Sequence, residues 1–502
     1  MKKLFTFLFV AATAIVAQAT DYNVPITVTV NDVSSEQTGV ITIVENNGLY
    51  DLTLKNFMLQ SENGPIGVGN VELKGMKPCQ DGNATLLLTK ETITLTNGDD
   101  PNVLLWMASM LPPVPVDLRA KIEGEHLRCY IDIDLMENLG QVIQVAIGGG
   151  YQVPNASFEA WHTSTGDYVE PNGWHSFESA TGALAALAGH HIAKSGDAHS
   201  GAVSARIFAT SIFGIVANGT MTTGRMNAGS ANASDTQNNA YLDMSMTDTD
   251  GNGDPYYIPL CSRPDSIVAW VKFKQGKANS SHPYATISAV ITDGTYFQDP
   301  EDKAYSNVVA KAKDNKIATT NGQWVRISAP FVYTDNAIDP QAVLITISTN
   351  ADPGQGSDAD EVLVDDIEFI YNAKVSGLKI MGEDVPGFST GKTDYEMELD
   401  KEITANDIEV VTDGKSTNIV KTVEVDEGQY LCTVVAIGAD MLAKSSYVVK
   451  VKSNLTAIRD QLTATKRPTA YFTLDGRQAK TLVPGKIYIC RQADGTVTKI
   501  RQ

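Results

Sequence analysis

The chain has 502 residues, 43% of them hydrophobic, and a formal net charge of −20. That acidity excludes nucleic acid as the main partner, because phosphate backbones are gripped by clustered Lys and Arg. The length calls for three or four domains of roughly 100–200 residues. Abundant Thr, Val, Ile and Gly, with few helical-period apolar stripes, predict an all-β, multi-domain chain.

Lys2 and Lys3 precede the apolar run Leu4 to Val16, and Ala17-Gln-Ala19 is a small-x-small cleavage site. This is the three-part pattern of a signal peptide over residues 1–19, with a mature chain from Thr20. The run is too short to span a bilayer, and no later stretch reaches about 18 apolar residues, so no transmembrane span is expected. The protein is expected to be exported, to the periplasm, the cell surface or the medium. Cys79, Cys129, Cys261, Cys432 and Cys490 show no CxxC and no zinc spacing. Cys79 and Cys129 fall in one domain, where pairing after export and burial as free thiols both fit.

Residues 20–148 read as an antiparallel unit. Pro25-Ile-Thr-Val-Thr-Val30, Gly39-Val-Ile-Thr-Ile-Val44 and Tyr50-Asp-Leu-Thr-Leu-Lys-Asn-Phe57 alternate, with turn residues at 45–48, 62–65, 81–83 and 97–101. The order of these strands, with Gly67-Val-Gly-Asn-Val-Glu-Leu73 and Ile143-Gln-Val-Ala-Ile147, resembles the calycin-like β-barrel domain of Bacteroidota envelope proteins. The resemblance implies a barrel, and barrels of this kind often hold an apolar ligand. Val103-Leu-Leu-Trp-Met-Ala-Ser-Met-Leu111 would then line a cup or, as the blander reading, form a short helix or plug packed as core.

Gly148-Gly-Gly150 reads as a linker into a central domain, residues 149–372. It opens with Asn155-Ala-Ser-Phe-Glu-Ala-Trp161 and Pro171-Asn-Gly-Trp174, and closes with Val362-Leu-Val-Asp-Asp-Ile-Glu-Phe369. Between them lie Ser195 to Arg206 with its A-H-S-G run at 198–201, the alternating strand Arg263 to Lys274, Gln323 to Ala329, and Val343 to Asn350. These motifs, in this order, resemble the carbohydrate-metabolism-type domain of Bacteroidota secreted proteins. The resemblance implies a jelly-roll β-sandwich whose first and last strands meet. It also implies a glycan ligand, and a structural calcium held where those strands meet by Glu159 with Asp365 or Asp366. The alternative for the three carboxylates is bonding to backbone N–H groups or to Arg.

Residues 373–452 form a smaller β unit. Val375-Ser-Gly-Leu-Lys-Ile380, Thr393-Asp-Tyr-Glu-Met-Glu-Leu399 and Ser446-Tyr-Val-Val-Lys-Val-Lys452 resemble cadherin-like or Ig-like sandwich modules, which act as spacers. Residues 453–502 carry nine Lys/Arg against three Asp/Glu, the reverse of the rest of the chain. Ala470 to Arg477, Val483 to Ile489 and Thr496 to Ile500 resemble the short C-terminal β segment of exported Bacteroidota proteins, including type IX sorting domains. That implies engagement of export or surface-attachment machinery; the alternative is a small terminal hairpin.

Sugar rings pack their C–H faces on aromatic side chains while Asn, Asp, Gln and Arg take their hydroxyls. Tyr256, Tyr257, Tyr296 and Phe297 sit beside turns at Asp254-Pro255, Asp293-Gly294 and Asp299-Pro300, so they are expected together on an exposed ligand face, with Trp174 as a further contact. Trp270 and Trp324 lie within strands and are expected in the core. Asp248 to Asp254 starts like a calcium loop, but its twelfth position is Pro259, so it is not an EF-hand. The histidines, including His162, His175, His190, His191, His199 and His282, show no metal spacing and are expected to be solvated or packed. Glu159, Asp167, Glu170, Glu178 and Asp197 are the carboxylates from which a glycosidase pair could be drawn. The sequence thus points to an exported modular glycan-binding protein with no cofactor beyond the calcium. The alternatives are a glycan-active hydrolase using central-domain carboxylates, and a structural or adhesive envelope protein.

Overall fold

The computed structural model describes residues 18–31, 33–59, 64–164, 168–248, 252–334, 337–426, 429–452, 468–473, 477–483, 486–492 and 496–501. Residues 1–17 of the expected signal peptide, Asp167, and residues 249–251 of the acidic run lie outside them. The described chain is built from strands joined by turns and a few single-turn helices. Among the described residues no helix is long and apolar enough to cross a membrane.

Nine strands make the first sheet: β1 (Gln18–Val30), β2 (Val33–Asn46), β3 (Leu49–Leu59), β4 (Ile66–Met76), β5 (Pro78–Asp81), β6 (Ala84–Ile93), β7 (Val114–Glu123), β8 (His126–Leu135) and β9 (Gln141–Ile147). They pair antiparallel in the order β4-β3-β2-β1-β9-β8-β7-β6-β5. The first and last strands meet with Ile26 opposite Ile147. Because side chains alternate across a strand, Ile26, Ile41, Leu52, Leu118, Cys129 and Val145 all face one inner core. Each such apolar side chain contributes about 1.5–3 kcal/mol on burial. In the apolar stretch at 103–111, a single helical turn forms, Ala108 is buried and Leu111 packs against the inner core. Backbone bonds from Met107 N to Gly67 O (2.8 Å) and from Asn70 N to Thr96 O (2.7 Å) lay the 96–107 segment along β4. Only Ala108–Met110 makes a single turn, and Leu104 and Leu105 face outward.

All five cysteines are free thiols. Cys79 lies in β5 and Cys129 in β8, with β6 and β7 between. Three strand spacings are about 14 Å, beyond the roughly 7 Å that a disulfide can bridge.

The glycines at 148–150 are pinned, which corrects the expected flexible linker. Gly148 N donates to Pro25 O (2.9 Å), and Cys261 N donates to Gly150 O (2.8 Å). The buried Arg128 guanidinium donates to Gly148 O (2.5 Å) and, through Nε, to Asp440 O (2.8 Å). Gly148 has φ +92°, and a Cβ there would lie 2.0 Å from Leu127 O.

The central domain is a two-sheet sandwich. One sheet runs Ile192–Ser195, Ser204–Phe208, Glu361–Ile370, Ser266–Lys274, Val325–Pro330; the other runs Thr220–Thr222, Ala342–Ser348, Ala285–Thr292, Val308–Ile317, Val332–Tyr333, with Ile258–Pro259 beside Ala342–Ser348. Ile267, Ala269, Val271 and Phe273 from the first meet Ile287, Ala289, Ile345 and Ile347 from the second in one core. The opening segment is a turn, not a strand: Asn155 (φ 47°) and Phe158 (φ 54°) are both left-handed. Asn155 holds the turn, its Nδ2 donating to Ala160 O and Asn172 O while its Oδ1 accepts from Ala160 N. The opening still meets the closing strand. Gln152 exchanges two bonds with the Phe369 backbone, and Ile367 N donates to Ala156 O.

The chain divides into two compact units. One holds the described residues up to Asn372 with Gly414–Asn418 and Gly438–Ala443; the other holds Ala373–Asp413, Ile419–Ile437 and the described residues from Lys444 onward. In the second, a three-stranded and a four-stranded sheet enclose Val375, Leu378, Tyr395, Ile408, Cys432 and Tyr447. Asp394–Glu398 runs parallel to Lys444–Lys452. The tail forms a three-stranded antiparallel sheet from Pro468–Phe472, Ile487–Gln492 and Val497–Arg501, one strand more than a hairpin.

Candidate functional site

The outer face of the sheet containing Ala285–Thr292 changes character along its length. Toward one end its outward residues include the apolar Val290, Val308, Ala342 and Leu344. A third layer covers them. In it Arg225–Ala228 and Phe297–Asp299 both pair with Asn238–Thr247, and Ala240, Leu242 and Phe297 press onto the sheet. Toward the other end the outward residues carry hydroxyls. Register aligns them in two cross-strand rows: Thr220, Ser348 and Thr286, then Thr222, Thr346, Ser288 and Lys313.

Over these rows opens a pocket of about 520 Å³, within the range of small-molecule sites, about 300–1,000 Å³. Its floor is Thr220, Ser348, Thr286, Thr346, Ser288 and Lys313. Neighbouring hydroxyls link across the floor, Thr220 Oγ1 to Ser348 Oγ (3.3 Å) and Ser288 Oγ to the Asp299 carboxylate (2.8 Å). Thr286 Oγ1, Asn218 Oδ1 and Asn239 Oδ1 are buried at the lining without a hydrogen-bond partner. Buried polar groups are seldom left so. Asn227 and Asn238 are committed instead to the neighbouring turn, through bonds to the 229–237 backbone. The walls are apolar, from Phe177, Leu187, Met226 and Ile215.

Phe213 stands at the tip of the hairpin Thr210–Ile212/Ile215–Ala217 and is 88% exposed. It has φ 50°, followed by Gly214 at φ 81°. Asn-Gly is the usual pair at such a turn, and a bulky aromatic in the left-handed region is disfavoured. An exposed ring held in a strained conformation at a pocket rim has the marks of a functional position.

The residues singled out from the sequence are placed differently. Trp174, Tyr256 and Phe297 are buried and offer no ring to a ligand. Trp174 packs on Phe158 in the sandwich core. Tyr256 lies between His175 and the Arg225 guanidinium, and its hydroxyl is pushed up to about 12, chiefly by burial. Phe297 is buried because it belongs to the third layer, which the sequence did not reveal, and faces the sheet beneath it. Tyr257 is half-buried against the same cluster. Tyr296 is exposed and near Tyr241 and Tyr305. Turn-adjacent position therefore did not mean surface. Trp270 and Trp324, expected in the core, are instead half-buried on the outer face of the other sheet, because the inward set of that strand is Ile267, Ala269, Val271 and Phe273. His199 stacks on Trp270, ring centroids 3.8 Å apart.

Glu159, Asp365 and Asp366 all reach one loop, 199–203. Glu159 Oε1 accepts from Ala202 N (2.8 Å) and Val203 N (3.1 Å). Asp365 Oδ2 accepts from His199 N (2.8 Å) and Ser200 N (3.3 Å). Asp366 takes His199 Nδ1 (2.6 Å) and Ser200 Oγ (2.8 Å). Glu159 and Asp365 thus accept backbone N–H groups, while Asp366 is held by the side chains of His199 and Ser200. Of the other glycosidase candidates, Asp197 pairs with Lys272 and Glu178 approaches His190.

A family model of the calycin-like β-barrel domain matches residues 19–149. No curated protein matches the chain. Among solved structures, a candidate glycoside hydrolase from Bacteroides thetaiotaomicron aligns at 13% identity over 69% of this chain and 84% of its own, with a TM-score of 0.31. An M60 catalytic domain with two CBM51 domains from Clostridium perfringens aligns at 12% identity over 98% of this chain and 43% of its own, with a TM-score of 0.15. Scores this low establish no common fold.

Proposed function

We propose that this chain is an exported glycan-binding protein whose central sandwich takes a saccharide in the pocket over the hydroxyl rows. One observation carries the reading: two rows of hydroxyl side chains, in register, pave a pocket whose walls are apolar. A pyranose has that same division, with C–H faces for apolar walls and hydroxyl edges for hydrogen bonds. Thr286 supplies a hydroxyl, and Asn218 and Asn239 amide oxygens, without protein partners, which a sugar's hydroxyls would satisfy. Phe213 supplies the stacking ring. The N-terminal signal pattern supports an exported protein, and the basic tail supports attachment at the envelope.

A glycan array on the full chain tests this, read beside the variants Phe213→Ala and Thr286→Val. Retention of particular glycans, lost or cut more than tenfold in both variants, supports the pocket. Silence across the array, or retention untouched by both changes, overturns it. Release of shorter sugars from a retained glycan would replace binding with hydrolysis.

A further inference from the structure

A second polar cluster lies in the same sandwich, apart from the residues that line the pocket, and nothing in the proposed sugar binding uses it. The short strands Trp161–Thr163 and Val169–Pro171 form a ribbon in which His162 stands directly opposite Glu170. Side chains so paired share a face, with Cβ atoms about 4.5–5.5 Å apart. Asp248, just beyond the end of Asn238–Thr247, completes the group. One nitrogen of His162 and one carboxylate oxygen from each acid lie within 4.8 Å of one another. Glu170 and Asp248 are buried.

The hydrogen bonds around the cluster define its chemistry. His162 Nδ1 is 3.0 Å from Asn172 Oδ1. An amide oxygen only accepts, so Nδ1 carries the proton and Nε2 presents a lone pair in the neutral ring. That Nε2 is buried without a hydrogen-bond partner. Glu170 Oε1 is occupied by the Ser176 backbone N–H and hydroxyl, while Oε2 is buried without a partner. His175 repeats the pattern: its Nε2 reaches Pro255 O (3.1 Å), and its Nδ1, also partnerless, lies 3.5 Å from Asp248 Oδ2. Lone pairs of two imidazoles thus face buried carboxylates. Gathering such groups out of water is costly unless a cation joins them.

We propose that His162 Nε2, Glu170 Oε2 and Asp248 form a zinc-type divalent metal site, with His175 Nδ1 beside Asp248 and outside the ligand set. Mixed imidazole and carboxylate donors suit zinc and its neighbours, whereas calcium takes oxygen alone. Ligands at about 2.1 Å in a tetrahedron stand about 3.4 Å apart, so closing the cluster needs shifts of about 1 Å. Asn172 is the outer partner that fixes the His162 tautomer, the arrangement usual for metal-bound histidine. Three protein donors leave the fourth position to water, and the ion would be a cross-link that ties the ribbon to the end of Asn238–Thr247.

The test uses the full chain, stripped with chelator and then dialysed against Zn²⁺ or Co²⁺. One retained equivalent is expected, with cobalt showing the visible bands of nitrogen and oxygen ligation, and zinc should raise the unfolding midpoint. His162→Gln and Glu170→Gln should abolish retention. Asn172→Ala, which leaves every ligand in place, should weaken it about 10–100-fold and serves if a ligand variant fails to fold. The proposal is overturned if neither metal is retained by the wild-type chain. Retention equal in all variants, or retention of Ca²⁺ but of neither Zn²⁺ nor Co²⁺, overturns it as well.

Discussion

Asp365→Asn probes the tie between the closing strand and the 199–203 loop. The wild-type side chain is fully buried and accepts backbone N–H groups from His199, Ser200 and Asp366. Desolvation, and then the neighbouring Asp366 carboxylate, push its carboxyl up to about 7 against the pull of those donors. In the unfolded chain it falls back to about 3.9. Between those values the native state holds more protons, so stability falls as pH rises from about 4 to about 7 and is level above that. Three units correspond to at most about 4 kcal/mol; with the half-exposed loop above it screening the charge, about 2 kcal/mol is expected. Asn removes the titration and turns one amide N–H toward a backbone N–H, which costs about 1–3 kcal/mol. The variant should therefore be clearly less stable near pH 5, with the gap closing by about 2 kcal/mol near pH 8. Urea unfolding followed by tryptophan fluorescence reads this cleanly, because all five tryptophans lie in the first compact unit. Parallel stability profiles for the two proteins would refute the reasoning.

Phe213→Ala should leave the unfolding midpoint unchanged, since the ring is exposed and alanine keeps the Cβ that strains the left-handed backbone; a marked drop in midpoint would show the ring to be structural. Gly148→Ala should cost about 3 kcal/mol or more, combining a left-handed alanine with a clash on Leu127 O; a midpoint within error of wild type would sink the claim that residues 148–150 are a pinned strap. Trp174→Ala should cost about 3–5 kcal/mol by opening a core cavity, while Trp174→Phe, if it folds, should retain glycans as the wild type does, and selective loss of retention would return Trp174 to the ligand site.

Alternation made much of the fold legible. The strand Ser266–Lys274 falls where a period-two pattern placed it, and so do β1, β2 and β3 of the calycin-like domain, while Ala342–Ser348 and Glu361–Ile370 overlap segments picked out by motif order. The opening Asn155 to Glu159 misled because a turn nucleated by an Asn side chain carries the same letters as a strand. Loop aromatics misled for a different reason. Burial of Phe297 and Tyr256 depends on which strands are layered over which, and local sequence does not contain that. The hydroxyl rows did have a signal, in Ala285-Thr-Ile-Ser-Ala289 and Leu344-Ile-Thr-Ile-Ser348, where apolar residues alternate with hydroxyls. The pairing of His162 with Glu170 had none, because eight residues of separation match no metal motif and only the register of the ribbon brings them together.

The two outer faces of the central sandwich solve opposite problems. On the sheet with Ser266–Lys274, Trp270 would be an exposed apolar ring, and the 199–203 loop resolves this by laying His199 over it, anchored by Asp365 and Asp366. That face is closed by its own chain. On the other sheet, the half bearing Val290 and Leu344 needs a cover for the same reason and receives the layer carrying Phe297. The half bearing Thr286, Ser288, Thr346 and Ser348 presents no apolar surface that needs a cover, and lines the pocket instead. The pocket therefore exists where the strands' outward residues change from apolar to hydroxyl. Moving that boundary by Ser348→Val should favour collapse of the walls onto the floor, whereas Leu344→Thr should loosen the layer that carries Phe297 and leave the floor intact. Ligand retention and unfolding midpoint, measured on both variants, should then move independently: retention with the first, midpoint with the second.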